Sequence, residues 1–110
     1  LAEDARLKAD AMKLIAETDI AAAEQSGKHL AAIIYARGCI MAAYGRYQDA
    51  VSAFDEAVLL DSELAEAYYN RALARLNAGG EMRDIESDLS HAGQLGLHAA
   101  YSLMKQTRKK

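Results

Sequence analysis

The stretch that decides the fold is AAIIYARGCIMAAYG, residues 31–45, which recurs 34 residues later as AEAYYNRALARLNAG, residues 65–79. The identities are Ala31 with Ala65, Tyr35 with Tyr69, Arg37 with Arg71, and Gly45 with Gly79. After Gly79 the offset becomes 35 residues, so that the second copy has one extra residue in its turn. Two helices per copy fit this period. A repeat of that length predicts a helical hairpin that occurs at least twice along the chain.

Hydrophobic spacing close to 3.6 residues extends the helical prediction to the whole chain. We predict helices over residues 3–25, 30–44, 47–60, 64–78, 82–94 and 98–107. The first has one broad apolar face, formed by Leu7, Ala11, Leu14, Ile15, Thr18 and Ala22. Ser26-Gly27 is expected to end this helix, because glycine tolerates the left-handed conformation that closes helices.

Composition agrees with a single all-α domain over residues 1–110. Alanine occurs 24 times and proline is absent, which favours helices over sheets. The single cysteine excludes an internal disulfide framework. Because the chain begins at Leu1 and not at Met, we expect either a single domain or a fragment of a longer protein.

Charge and hydropathy exclude two classes of partner. The net charge of −3 predicts no nucleic-acid-binding surface. No stretch approaches the roughly 18 apolar residues that span a bilayer, so no membrane association is expected. Lys105, Arg108, Lys109 and Lys110 form a basic tail, which we interpret as a solvated end. A cytoplasmic location follows as the expectation.

The two copies resemble the tetratricopeptide repeat family. Its pattern of large, small, glycine and alanine positions is met in the first copy by Ile34, Gly38, Gly45, Tyr47, Ala50, Phe54 and Ala57. The second copy supplies Tyr68, Ala72, Gly79, Ile85, Leu89 and Ala92. The resemblance implies a right-handed α-solenoid of antiparallel helical hairpins, about two and a half repeats plus a capping helix. Its parts would be an N-terminal helix or partial repeat (1–30), two repeats (31–64 and 65–96), and a capping helix with the basic tail (97–110).

The chain departs from the family pattern in three places. Arg75 stands where a large apolar residue is expected, Ile85 where alanine is expected, and Ser62 where proline is usual. Residues 1–30 leave two registers open. The positions of a second helix are filled either by Ala16, Ile20 and Ala23, or by Ala11, Ile15 and Thr18. We prefer the second register, because Ser26–His29 resembles a loop.

No pattern in the sequence supports catalysis, a metal or a cofactor. His29, His91 and His98 have no zinc-ligand spacing, and no HExxH motif occurs. Cys39 has no basic neighbour at helical spacing that would activate it as a nucleophile. We therefore predict a protein that is not an enzyme, with no catalytic residue and no metal site.

The resemblance implies a peptide-binding groove lined by the first helix of each repeat. The residues at the family's groove positions that we select are Tyr35, Ala36, Cys39, Glu66, Tyr69, Asn70, Leu73 and Asn77. Alternatively, the two tyrosines only pack between hairpins. Family members that bind acidic chaperone C-termini need lysine where this chain has Tyr35, so that function is rejected.

The function predicted from the sequence is a non-enzymatic protein–protein interaction or scaffolding module that binds a peptide or partner protein. The alternative is a self-association module, because apolar faces left uncapped at the end of a solenoid would pair two chains as a homodimer.

Overall fold

The computed structural model describes residues 2–108, and within its first helix it describes the side chains of Asp10, Ala11, Lys13, Glu17 and every residue from 21 onward. This range contains five helices and no strand. The helices are α1 (Ala2–Ala43), α2 (Tyr47–Leu60), α3 (Ala65–Ala78), α4 (Met82–Gln94) and α5 (Ala99–Arg108). The prediction of an all-α chain is confirmed.

The predicted helix end at Ser26-Gly27 is wrong, because α1 runs through it without interruption. Gly27 keeps a helical backbone, and a glycine inside a helix costs only about 1 kcal/mol relative to alanine. Lys28 and His29, which were predicted to lie in a loop, are exposed helical residues. The two predicted helices over 3–25 and 30–44 are therefore one, and the preferred register for residues 1–30 loses its support.

The other helix ends lie where the sequence places them, to within one residue. Gly45 and Gly79 follow α1 and α3 with φ angles of 78° and 76°, in the left-handed region that favours glycine. The carboxylate of Asp61 follows α2 and accepts a hydrogen bond from the Glu63 N–H at 3.1 Å. This contact forms a short turn between α2 and α3.

Consecutive helices pack antiparallel to one another. Phe54 of α2 lies against Gly38 of α1, and Leu60, six residues later, lies against Gly27. The pairing therefore runs in opposite directions along the two helices. Each of the later helices likewise packs on the helix before it.

The core is built from small residues at the helix crossings and a few large ones between them. A Cβ atom added to Gly38 would lie 2.6 Å from a ring carbon of Phe54, so this crossing has no room for a side chain. The fully buried large side chains are Phe54, Ile85 and Leu89. The fully buried alanines of the crossings are Ala31, Ala50, Ala57, Ala67, Ala72, Ala92 and Ala100.

One buried carboxylate holds the second hairpin together. Asp88 is only 3% exposed and forms ion pairs of 2.6 Å with both Arg71 and Arg75. Arg71 also reaches Asp55 of α2 at 2.9 Å, so one guanidinium joins α2, α3 and α4. Burial by itself lowers the pKa of Arg71, but the hydrogen bonds and charges of Asp88 and Asp55 outweigh it and raise that pKa above its ordinary value.

This ion pair explains a departure from the family pattern. Arg75 is equivalent to Met41 at the offset of 34, and Asp88 is equivalent to Ala53 at the offset of 35. In the first hairpin, Met41 packs with Ala53 in an apolar cluster. The second hairpin thus replaces an apolar pair by an oppositely charged pair at the same two positions.

The last helix, α5, closes the open side of α4. Ala100 is fully buried, and the ring of Tyr101 lies over Gly93, where an added Cβ would come within 2.4 Å of it. The basic tail is helical as far as Arg108, where α5 ends, and Arg108 contacts Glu86 of α4 at 3.3 Å. Lys109 and Lys110 lie outside the described residues. Within residues 2–108, the apolar run of every helix is too short to cross a membrane.

Replacing Ala57 by leucine should destabilise the fold by ~1–3 kcal/mol, because Ala57 is fully buried and the added carbons overpack the core. Ala23→Leu, the same change at an exposed position of α1, is the matched control and should have little effect. Chemical denaturation followed by circular dichroism measures both. Equal stabilities for the two variants would contradict the packing described here.

Replacing Asp88 by alanine should cost ~3 kcal/mol, because two partly buried guanidinium groups lose their shared carboxylate. Asp49→Ala removes the exposed Arg46–Asp49 pair and should cost less than ~1 kcal/mol. Urea denaturation of both variants compares a buried with an exposed ion pair in one protein. A smaller loss for Asp88→Ala than for Asp49→Ala would contradict the role given to the network.

Candidate functional site

A recess of about 330 Å³ lies between the C-terminal part of α1 and α3, with α2 at its base. It is lined by Cys39, Ala42, Ala43, Tyr47, Phe54, Asn70, Leu73, Ala74 and Asn77. The alanines of α1 and α3 leave the space open. None of the lining side chains carries a charge, so the recess suits a neutral or amphipathic ligand segment.

A hydrogen bond between the two repeats lies at the edge of this recess. The amide nitrogen of Asn70 donates to the Tyr35 hydroxyl at 2.8 Å and to the Glu66 carbonyl at 3.0 Å. The ring of Tyr35 lies 5.7 Å from that of Phe54 at a tilt of 42°, a favourable aromatic arrangement. This contact joins α1 to α3 through residues that are 35 positions apart.

The Tyr35 hydroxyl is held in its neutral form. Burial raises its pKa most strongly, and the neighbouring Cys39 and the Glu66 carboxylate raise it further. The hydrogen bond from Asn70 lowers the pKa, but the net result is a value of about 12. At neutral pH the group is therefore a hydroxyl that can accept from Asn70 and donate elsewhere.

The structure brings part of the predicted groove together. Cys39, Asn70, Leu73 and Asn77 line the recess, and Tyr35 is tied to it by its bond to Asn70. Ala36 and Glu66 are exposed on α1 and α3. Tyr69 is half-buried and packs against the cluster that contains Tyr68, Leu89 and Ala100. Its position favours the alternative in which this tyrosine packs between hairpins.

Two residues of the recess come from α2 and were not predicted. Tyr47 begins α2, and Phe54 is fully buried beneath the recess. The family pattern assigns groove positions only to the first helix of a repeat, so it did not point to them. The turn at Gly45 is the local signal, because it places the start of α2 beside the end of α1.

The potential metal ligands among the described residues are dispersed. Nowhere in that part of the chain do three His, Cys, Asp or Glu side chains come together as metal ligands would. His91 stacks on Tyr68 with ring centroids 4.1 Å apart, and His98 lies 6.3 Å from Tyr101. Cys39 is a free, half-buried thiol in the wall of the recess. The arrangement offers apolar area and neutral hydrogen-bonding groups, which suit recognition of a segment of polypeptide.

No protein-family model matches this chain, and no curated protein matches it in sequence.

Alkaline pH should test the environment of Tyr35. An unfolded tyrosine ionises near pH 10, whereas Tyr35 in the fold ionises near 12. Because folding retains the proton, this stabilisation is complete below pH 10 and is lost as the pH rises towards 12. Urea unfolding between pH 9 and 11.5 should therefore show a shallower decline in stability for Tyr35→Phe than for the wild type.

Proposed function

We propose that this protein is a non-enzymatic binding module that takes an extended peptide, or a segment of a partner protein, into the recess between α1 and α3. One observation carries the proposal. Cys39 and Leu73 are equivalent positions of the two sequence copies, as are Ala43 and Asn77, and all four residues line the same recess. Stacking of equivalent positions into one surface is how helical repeat proteins form binding grooves.

The proposal includes the architecture. In it, the hairpins over 31–64 and 65–96 are two tetratricopeptide-like repeats that stack as a right-handed α-solenoid, and α5 covers the end as a capping helix. The sequence period, the antiparallel pairing and the small residues at Gly38 and Ala57 support this arrangement. Residues 1–30 would precede the first complete repeat as a helical extension.

Asn70 supplies the polar recognition in this proposal. Both of its hydrogen bonds in the fold use the amide nitrogen, and its carbonyl oxygen can accept from a peptide N–H. Tyr35, held neutral, can donate to a peptide carbonyl. These two groups would pair with the ligand backbone, and Leu73 and the alanines would contact its side chains.

Charge narrows the ligand class. The lining of the recess is uncharged, and Glu66 is an exposed acid one helical turn from Asn70. A buried carboxylate of a ligand would find no cation here, which is costly. We therefore infer a neutral or mildly basic ligand. A cytoplasmic location stays a prediction from the sequence.

Binding to an array of synthetic nonapeptides tests the proposal. The wild-type protein should select neutral or mildly basic sequences. Asn70→Ala should lower the affinity for the selected peptides at least tenfold, as measured by calorimetry, because hydrogen bonds at the site are lost. Ser87→Ala, at an exposed serine of α4, is the matched control and should bind as the wild type does. The proposal would be overturned if no peptide were selected, or if Asn70→Ala bound the selected peptides as tightly as the wild type does.

A further inference from the structure

Another recess lies on the other side of α3, between the end of α3, the start of α4 and the C-terminal half of α5. Its volume is about 370 Å³, close to the 330 Å³ of the recess between α1 and α3. It is lined by Leu76, Asn77, Met82, Leu103, Gln106 and Thr107. We call the recess between α1 and α3 the first recess, and this one the second recess.

The two recesses occupy the same place in the two sequence copies. Around the turn that follows the first helix of each hairpin, three residues line the first recess, and their equivalents at offsets of 34 and 35 line the second. The equivalent pairs are Ala42 with Leu76, Ala43 with Asn77, and Tyr47 with Met82. In the second recess, α5 takes the place that α3 has in the first. The helix that the sequence predicts only as a cap thus forms the wall of a recess.

Asn77 lies between the two recesses and lines both of them. Its amide nitrogen donates to the Leu73 carbonyl at 3.0 Å. Because a backbone carbonyl can only accept, this bond fixes the orientation of the amide group. The side-chain carbonyl oxygen points the other way. Since Asn77 is exposed, a peptide that crosses α3 at this point can donate an N–H to that oxygen.

The second recess suits a large apolar side chain. Leu76 and Leu103 are half-buried and pack against the core cluster that contains Leu89, so the apolar floor of the recess is continuous with the core. Met82 is 45% exposed, and its unbranched thioether can adapt to a ligand. None of the six lining side chains is charged, so a charged ligand group buried here would stay unpaired.

The distance between the recesses gives the spacing of the ligand residues. The recesses flank α3, and a helix with its side chains is about 10 Å across. An extended chain rises about 3.3 Å per residue, so about three residues span that distance. One peptide of ordinary length can therefore occupy both recesses while its backbone passes Asn77.

We propose that α5 is part of the binding surface, and that the bound peptide crosses α3 at Asn77 and inserts a large apolar side chain into the second recess. This inference rests on the proposed function and adds a second anchor to its ligand. The anchor residue is leucine, isoleucine, methionine or phenylalanine, about three residues from the one in the first recess. The ligand class thereby narrows to neutral or mildly basic peptides with an apolar anchor at that spacing.

Met82→Asp tests the second recess. Met82 is the first residue of α4, where an acidic side chain favours the helix, so the variant should fold. It should lower the affinity for the nonapeptides that the wild type selects at least tenfold, as measured by calorimetry, because a charge then lies where the apolar anchor binds. The matched control is Leu59→Asp, at a leucine that is 85% exposed on α2, and it should bind as the wild type does. Circular dichroism verifies that both variants fold.

An alanine scan of a selected peptide identifies the anchor residue. Replacing the anchor by alanine should lower the affinity for the wild type at least tenfold but that for Met82→Asp less than about threefold, because the two changes remove the same contact. An equal loss in both proteins would place the anchor elsewhere and overturn the inference.

A photoreactive diazirine analogue of leucine at the anchor position shows where that residue binds. After irradiation, mass spectrometry should find the cross-link on Met82, Leu103 or Gln106. A cross-link confined to α1 or α2 would contradict the inference.

The outcomes separate the two proposals. If no peptide is selected, or if Asn70→Ala binds as tightly as the wild type, the proposed function is wrong and the inference fails with it. If Asn70→Ala weakens binding and Met82→Asp does not, the first recess binds the peptide and only the role of the second recess is wrong.

Discussion

The guanidinium group of Arg71 sets the orientation of α3, and the rest of the fold depends on that orientation. It binds Asp88 of α4 on one side and Asp55 of α2 on the other, so α3 cannot rotate about its axis without breaking both ion pairs. Asn70 precedes Arg71 by one residue and is thereby directed towards α1, where it meets Tyr35. A buried network that is not needed for hydrophobic burial can still define a single arrangement of helices. Here it fixes the position of the residue on which the candidate site depends.

Most of the fold could be predicted from the sequence, because most helices end at residues that favour a turn. Gly45 and Gly79 adopt left-handed conformations, and the Asp61-Ser62 pair forms a turn. Gly27 could not be distinguished from them by residue type. A glycine ends a helix only when the following chain gains contacts by turning, and the residues after Gly27 pack against α2 in the same helical register. That information is tertiary and does not reside in the local sequence.

The candidate site was predictable to the extent that the repeats are equivalent. Cys39 and Leu73 came from matching positions and share a wall of the recess. Tyr35 and Tyr69 are equally well matched, yet Tyr35 accepts a hydrogen bond from Asn70, whereas Tyr69 packs against the cluster that contains Tyr68, Leu89 and Ala100. The difference arises because Tyr69 has another hairpin behind it. The neighbouring helices, rather than the residue type, decide whether a tyrosine bonds at the recess or packs between hairpins.

Most contacts between helices follow the order of the chain, with α1 on α2, α2 on α3, α3 on α4 and α4 on α5, and α1 also meets α3. Such a structure can open from one end without losing all of its core. Release of α5 would expose Gly93 and one side of α4 but leave the α2–α3 contacts in place. The amide hydrogens of α5 should then exchange with solvent at a lower free energy than those of α2 and α3. Because each pairing closes only a short loop, the hairpins can also form quickly and independently during folding.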